Sequence, residues 1–405
     1  MDSRHFVRLT ATEFADFVAT RQDIHFQQTK AFGDFQTTLG HEAFYFAVKD
    51  SGTIVAAILV TLSKVRLGYL AEAHGNPYFS ETLAINQALI AGVQKALKKQ
   101  GVLKLVVHSN QMIAQYDDNW EEVAVMNQDL TSFYQQLGFS QGQLSAFEKG
   151  FNYNYSKTLS GFESFAKLEK SYKKNGLQTI KKARQLGIQV YEASFDELSD
   201  FKKVVDEAGE RRQFDTRDLA YYQAVYQAFG NQVKFMLAKI NFKSELESNQ
   251  IALATIRQEL TQAEAQNKKK SLDTLHQRLA RLEKFEREIQ QFVVTYGDQD
   301  VILAAAQFFI MPNEVIYMFS GMYDAFREFS APFLIQDEML HFAYDHQISH
   351  YHFMGINAPD DPDQGVLRFK QNFKGYIWQS SGNYDLLVKP ILYRVTELLK
   401  AFIKR

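Results

Sequence analysis

The spacing of apolar residues changes several times along the chain, and each change predicts an element. "FYFAVKD" and "TIVAAILVTLSKV" are β-branched and aromatic runs on either side of "DSG", the pattern of a β-hairpin. "LAINQALIAGVQKALKKQG" repeats its apolar positions every three or four residues and closes on Gly101, which predicts an amphipathic helix. "VLKLVVHS" reads as a buried strand. Farther on, "SFDELSDFKKVVDEAGERRQF" and "TRDLAYYQAVYQAFG" predict helices and "VKFMLAKIN" a strand. "DVILAAAQFFIMPNEVIYMFSGM" predicts two strands turned at "MPNE", "SAPFLIQDEMLHFAYDHQ" a helix and "HYHFMGI" a strand. Alternation of this kind implies an α/β protein with a mixed sheet in each half.

A different period interrupts the second half. Leu253, Ile256, Leu260 and Ala263 step by three and four, as do Leu272, Leu275, Leu279 and Leu282, with "AQNKKKS" between them. The two stripes predict an antiparallel helical hairpin over residues 241–296, each arm of ~20 residues reaching roughly 30 Å. Its readings are an arm for a protein or RNA partner and a spacer that packs on itself; its nearly balanced charge does not by itself nominate RNA.

Near the C-terminal end, "GVLRFKQNFKGYI" follows the acidic loop "NAPDDPDQG". On an ideal helix Phe369 and Phe373 align and Lys370 and Lys374 share an adjacent face. Either these lysines are the solvated side of an amphipathic helix, or a cation is held among apolar side chains for a purpose.

Composition narrows the choices. A chain of 405 residues with 46% hydrophobic and 14% aromatic content can bury sizeable cores and has the length of two or three compact units. Cysteine is absent, which excludes disulfides and thiolate metal sites. No secretory apolar region and no membrane-length apolar run is seen, and the expectation is a soluble, cytoplasmic protein. With a net charge of −2, any polyanion must be held by a local patch. The densest is "KLEKSYKKNGLQTIKKARQLGIQV", where Lys167, Lys170, Lys173, Lys174, Lys181, Lys182 and Arg184 offer phosphate contacts or a solvated helix face.

"DLTSFYQQLGF" ends a helix at Leu137 and Gly138 and enters a strand at Phe139, which resembles the close of acetyltransferase-type (GNAT) domains. Two such halves, the inserted hairpin and "GVLRFKQNFKG" after an acidic loop together resemble the Fem/MurM aminoacyltransferases over essentially the full length. The resemblance extends, in order, to "SYKKNGLQTIKKARQLGI", "ERRQFDTRDLAYY", "MPNEVIYMFSGMYDAFREFSAP" and "GINAPDDPDQGVLRFKQNFKG". The hairpin and the "GERRQF" and "RFKQNF" wording bring it nearest to the MurM/MurN type. The implied fold is two GNAT-like mixed-sheet domains, 1–150 and 151–240 with 297–384, interrupted by a coiled-coil hairpin at 241–296, with 385–405 packing on the first domain.

The resemblance also implies roles. Phe369 and Lys370 match the phenylalanine and lysine at the reaction centre, and Arg217 and Tyr221, one helical turn apart, match the pair that holds the acceptor. Tyr317 matches a further tyrosine on the strand after the hairpin, with Tyr323 nearby. Members commonly carry a Trp and then a basic residue in the first helix after "Q-S/T", where this chain has Phe32 and Gln36 in "QTKAFGDFQ". The implied reaction moves Ala, Ser or Gly from aminoacyl-tRNA to the third residue of the stem peptide, or to a branch already there. The acceptor is lipid II or its nucleotide-linked form, reached at the inner membrane face through peripheral contact. An ester becomes an amide without nucleotide hydrolysis or a cofactor, so the demands are positioning, a deprotonated amine and oxyanion stabilisation, which Lys370 could supply.

No activated nucleophile is visible, and Asp324, Asp337 and Asp345 are unranked candidates to accept the proton. His341, His346, His350 and His352 cluster without a zinc-type helix pair, so no metal is expected. Acyl-CoA use is disfavoured because "AEAHGNPYF" and "FSQGQLSAF" carry too few glycines for a pyrophosphate loop. A non-catalytic precursor-binding or scaffold protein is the alternative, and the donated residue, its branch position and the oligomeric state stay open.

Overall fold

The computed structural model describes residues 4–150, 152–213, 215–266 and 269–403. Residues 267 and 268 of the expected hairpin turn, Phe214 of "GERRQF" and the last two residues of the chain lie outside them.

Fourteen strands among the described residues form one sheet. They are β1 (His5–Leu9), β2 (Glu42–Asp50), β3 (Thr53–Val65), β4 (Gly68–His74), β5 (Val102–Tyr116), β6 (Glu122–Val125), β7 (Ser140–Gln141), β8 (Tyr153–Thr158), β9 (Gln189–Glu192), β10 (Val233–Asn241), β11 (Asp300–Ile310), β12 (Glu314–Met322), β13 (His350–Ile356) and β14 (Tyr376–Leu387). Their order is β1-β2-β3-β4-β5-β14-β8-β13-β12-β11-β10-β9, with β6 on β5 and β7 on β14.

Two neighbours in this order run parallel, β4 with β5 and β12 with β13. All other pairs along the path are antiparallel. Each half thus repeats an antiparallel meander that ends in one parallel step. The last strand, β14, fills the gap between them, pairing β5 on one side and β8 on the other. It carries no strong alternation in the sequence because many of its residues, polar ones such as Ser380, Ser381 and Asn383 included, are buried.

The hairpin expected at "DSG" joins β2 to β3, and Ser51 and Gly52 adopt φ of 49° and 85°, the left-handed pair that matches the twist of antiparallel strands. The helix Leu83–Lys99 buries Leu89, Ile90, Val93 and Leu97 against β2, β3 and β5. In the second half, the helix Ala331–Asp345 covers β10, β11 and β12 with Leu334, Ile335, Met339 and Leu340. A third apolar core crosses between the halves. The helix Lys30–Thr38 packs on the helix Leu219–Phe229, and Phe26 stacks on Phe309 with ring centres 4.1 Å apart.

The interruption is a pair of long helices, Phe242–Ala265 and Lys269–Tyr296, packed along each other. Leu253, Ile256, Leu260 and Ala263 are buried in the seam, Asn249 donates to Leu282 O across it and Arg257 pairs with Glu283. The arms of 24 and 28 residues exceed the length expected from the stripes, because both helices run on into the body. There Phe242 stacks on Phe292 and contacts Phe326 and Phe329. No helix of the described residues is long and apolar enough to cross a membrane.

Candidate functional site

Lys370 stands on the short helix Gly365–Gln371 and is buried, 4% exposed. Its Nζ donates to two consecutive carbonyl oxygens, Met354 O at 3.0 Å and Gly355 O at 2.6 Å. Successive carbonyls of a regular strand point in opposite directions, so this pair needs an explanation. β13 supplies it: its register with β8 slips between His352 and Gly355, and Met354 takes a φ of 63°. The bulge turns two acceptors toward one ammonium.

Both acceptors are neutral. Burial, reinforced by the Arg212 charge, therefore pushes the Lys370 ammonium down to about 7. Phe369 packs edge-on against Phe333 and Phe373 and helps to keep water from the lysine stem. The helix stops at Gln371 and Lys374 turns away with a φ of 51°, exposed, so the shared face expected for Lys370 and Lys374 does not form. The chain must leave the helix there to enter β14, where Gly375 lies against the Ser156 backbone with no room for a side chain.

Arg217 lies just before the helix Leu219–Phe229 and Tyr221 in its first turn, where Asp218 caps the helix by accepting from the Tyr221 N–H at 2.8 Å. The guanidinium of Arg217 sits 5.3 Å from the centre of the Tyr221 ring. The ring is wedged between Phe35 of the first half and Phe319 of β12. Tyr317, two residues before Phe319, is buried and bonds Ser320, and the charge of Arg212 reaches both Tyr317 and Lys370. Tyr323 lies just past the end of β12 and packs edge-on against Phe326. Phe32 is buried against Phe26, Phe35 and His74, and Gln36 is half-buried on the same helix.

The basic stretch divides. Lys173 pairs with Asp118 at 2.8 Å, and Arg184 pairs with Glu169 at 2.8 Å and with the buried Asp337. Lys174, Lys181 and Lys182 are exposed on the helix Lys174–Arg184, and Lys182 borders a groove of about 390 Å³ against the hairpin base. This helix abuts the one that carries Lys370: the Lys173 N–H donates to Asn372 O at 2.9 Å and Gly176 leaves no room for a side chain beside Asn372.

Six segments far apart in sequence enclose a cavity of about 300 Å³ where the halves meet, lined by Arg21, His25, Asn76, Asn110, Glu314, His352 and Trp378 among others. Burial holds Glu314 up at about 7. Its carboxylate lies 3.9 Å from His352 Nδ1, while burial, with the charges of His25 and Lys370, keeps His352 neutral at about 3. The three aspartates considered from the sequence lie elsewhere: Asp324 is exposed and pairs with Arg211 and Arg327, Asp345 is exposed beside His341, and Asp337, which burial raises to about 6, pairs with Arg184 and does not line the cavity. Sequence reading missed Glu314 because a turn glutamate after "MPN" carries no signal of its own. His352, set among structural histidines there, gains its setting only from the fold.

Comparison with known proteins places the fold and the family. The chain is 25% identical, across 95% of both sequences, to the aminoacyltransferase FemA of Staphylococcus aureus, strain N315 among several. Its fold superposes on the crystal structure of FemX with a TM-score of 0.77 at 19% identity, covering 96% of this chain and 99% of that one. A tandem GNAT protein from the clavulanic acid pathway matches with a TM-score of 0.50 at 10% identity and the same coverage. The two meanders joined through β14 are accordingly two GNAT-like halves. The FemAB family matches from residue 9 to residue 401, so the chain belongs to the FemAB family and is an aminoacyltransferase.

Proposed function

We propose that the protein transfers an amino acid, Ala, Ser or Gly, from aminoacyl-tRNA to the amine of the third stem-peptide residue of a peptidoglycan precursor, or to a branch residue already attached there. The acceptor is lipid II or its nucleotide-linked counterpart, and the product is part of the interpeptide bridge. The observation that carries this reading is a buried lysine whose ammonium faces only neutral carbonyls.

In the reaction, the acceptor nitrogen attacks the ester carbon, the carbonyl oxygen becomes an oxyanion, and the bond to the ribose 3′ oxygen then breaks as that oxygen takes a proton. Lys370 is the charge partner for the oxyanion: it has no competing carboxylate among its bonds, and its apolar walls strengthen its field. The attacking amine must shed a proton, and Glu314, held near 7 at the cavity, is the group we assign to take it. Arg217 over Tyr221 offers a cation for the acceptor's phosphates, and Tyr317, on β12 two residues from the Phe319 that packs on Tyr221, is the further tyrosine we assign to acceptor binding. The exposed Lys174, Lys181 and Lys182 form a surface for tRNA phosphates or anionic headgroups at the inner face of the membrane.

The test is transfer of radiolabelled Ala, Ser and Gly from charged tRNA to lipid II, to its nucleotide-linked form and to the once-branched product. Wild type is expected to label one of these. Lys370→Ala is expected to lose about 100- to 1000-fold in kcat while it still binds the acceptor. Glu314→Gln is expected to lower kcat with little change in KM. A wild-type chain that binds precursor but transfers nothing would favour a scaffold role.

A further inference from the structure

A second cluster of chemically capable side chains lies away from Lys370. β4 and β5 run parallel with His74 opposite His108, and Glu72, two residues before His74, shares their face of the sheet. The two imidazoles stack with centres 4.5 Å apart and planes 5° from parallel. Glu72 Oε1 is 3.0 Å from His108 Nε2, and one donor atom each from Glu72, His74 and His108 lies within 4.8 Å of the other two. The other nitrogen of His108, Nδ1, is 3.0 Å from Glu148 Oε1 and 3.0 Å from Asn383 Oδ1. Glu148 is itself held in place: it accepts from the Ser145 N–H at 2.7 Å and from Asn383 Nδ2 at 2.6 Å.

We propose that Glu72, His74 and His108 are the ligands of a divalent cation of the zinc class, and that Glu148 orients His108 as its outer carboxylate. Two imidazoles and one carboxylate are a donor set that zinc accepts, with a fourth position left to water. A ligating histidine whose other ring nitrogen is bonded to a carboxylate is the usual supporting arrangement for such a site. The side chains of His108 and Glu72 retain 21% and 24% exposure, which leaves an entry path.

The site has a structural consequence near the reaction centre. Asn76 and Asn110, each two residues beyond a ligand, line the cavity between the halves, and Gln28 donates to His74 O at 2.8 Å. A cation there ties the ends of β4 and β5 and so braces that wall.

The experiment titrates the full chain, freed of metal by a chelator, with Co²⁺ followed by visible absorption and with Zn²⁺ followed by calorimetry. One equivalent of Co²⁺ with the absorption of a four-coordinate nitrogen and oxygen site, displaced by Zn²⁺ and accompanied by a higher melting temperature, is the expected result. His74→Asn and Glu72→Gln are expected to abolish it, and Glu148→Gln to weaken it by about 10- to 100-fold. Should His74→Asn fail to fold, the partly exposed Glu72→Gln decides alone. A His341→Ala, His346→Ala double variant, altering exposed histidines elsewhere, is expected to bind as wild type does. No uptake by wild type, or uptake indifferent to Glu72→Gln, overturns the proposal. Because the readout is metal binding, it stands or falls independently of amino-acid transfer.

Discussion

Lys370 is stabilised by two carbonyl oxygens and penalised by everything else around it. Two neutral acceptors do not replace the hydration of an ammonium, and burial with the Arg212 charge brings its pKa to about 7 from an ordinary 10.5. The consequence for stability follows from proton counting. Between about 7 and 10.5 the unfolded lysine holds a proton that the folded one has released, so this residue makes stability rise with pH across that window. Below about 7 both states are charged and the full cost of burying the ammonium is present. Lys370→Met removes the titrating group while keeping a similar length. Denaturant unfolding of both proteins at several pH values is expected to show wild type gaining on the variant as pH climbs from 7 to 10. A constant difference would mean that the lysine is solvated. At this scale the sequence was legible where a motif carried the residue, as for Phe369 and Lys370. Glu314 and His352 were not legible, because the cavity that gives them meaning is assembled from segments roughly 25, 76, 110, 314, 352 and 378 along the chain.

At the scale of elements, periodic segments were readable and irregular ones were not. The hairpin at Ser51–Gly52, the helix Leu83–Lys99 and the paired long helices all follow from spacing. The bulge in β13 does not: "HYHFMGI" alternates like an ordinary strand, and only the glycine after Met354 hints at irregular backbone. Yet this bulge is what delivers two carbonyls to Lys370. A left-handed methionine costs about 1–2 kcal/mol, and a β-branched residue tolerates that conformation least. Met354→Val is therefore expected to lower stability by about that amount and to reduce transfer, whereas Met354→Asn, suited to the left-handed region, retains both. Thermal melts and single-turnover transfer on the pair check this. A fully active, fully stable Met354→Val would show that the bulge is not needed to hold Lys370.

Across the whole molecule, the two halves are joined by backbone and by an apolar core, which bears directly on where an acceptor can sit. β14 is hydrogen-bonded to both halves, and Phe26 and Phe35 of the first half pack against Phe309, Phe229 and Tyr221 of the second. The Tyr221 ring, and with it the Arg217 guanidinium stacked on it, is thus positioned by a residue from the opposite half. Where the family resemblance implies a Trp and a base on the first-half helix, this chain offers Phe32, buried, and Gln36, and the cation we propose for an acceptor phosphate is Arg217. If that assignment holds, loosening the contact weakens binding without touching the reacting atoms. Phe35→Leu keeps the side chain apolar and costs about 1 kcal/mol in packing, far less than truncation to Ala. The variant is expected to raise the acceptor KM several-fold while kcat stays within about twofold, the signature of lost binding shared by ground and transition states. Steady-state transfer kinetics with the acceptor varied at saturating charged tRNA separates the two parameters. A parallel fall in kcat with KM unchanged would instead put Tyr221 and Arg217 at the reacting ester, and the acceptor's phosphates would then have to be sought on the exposed lysines of the helix Lys174–Arg184.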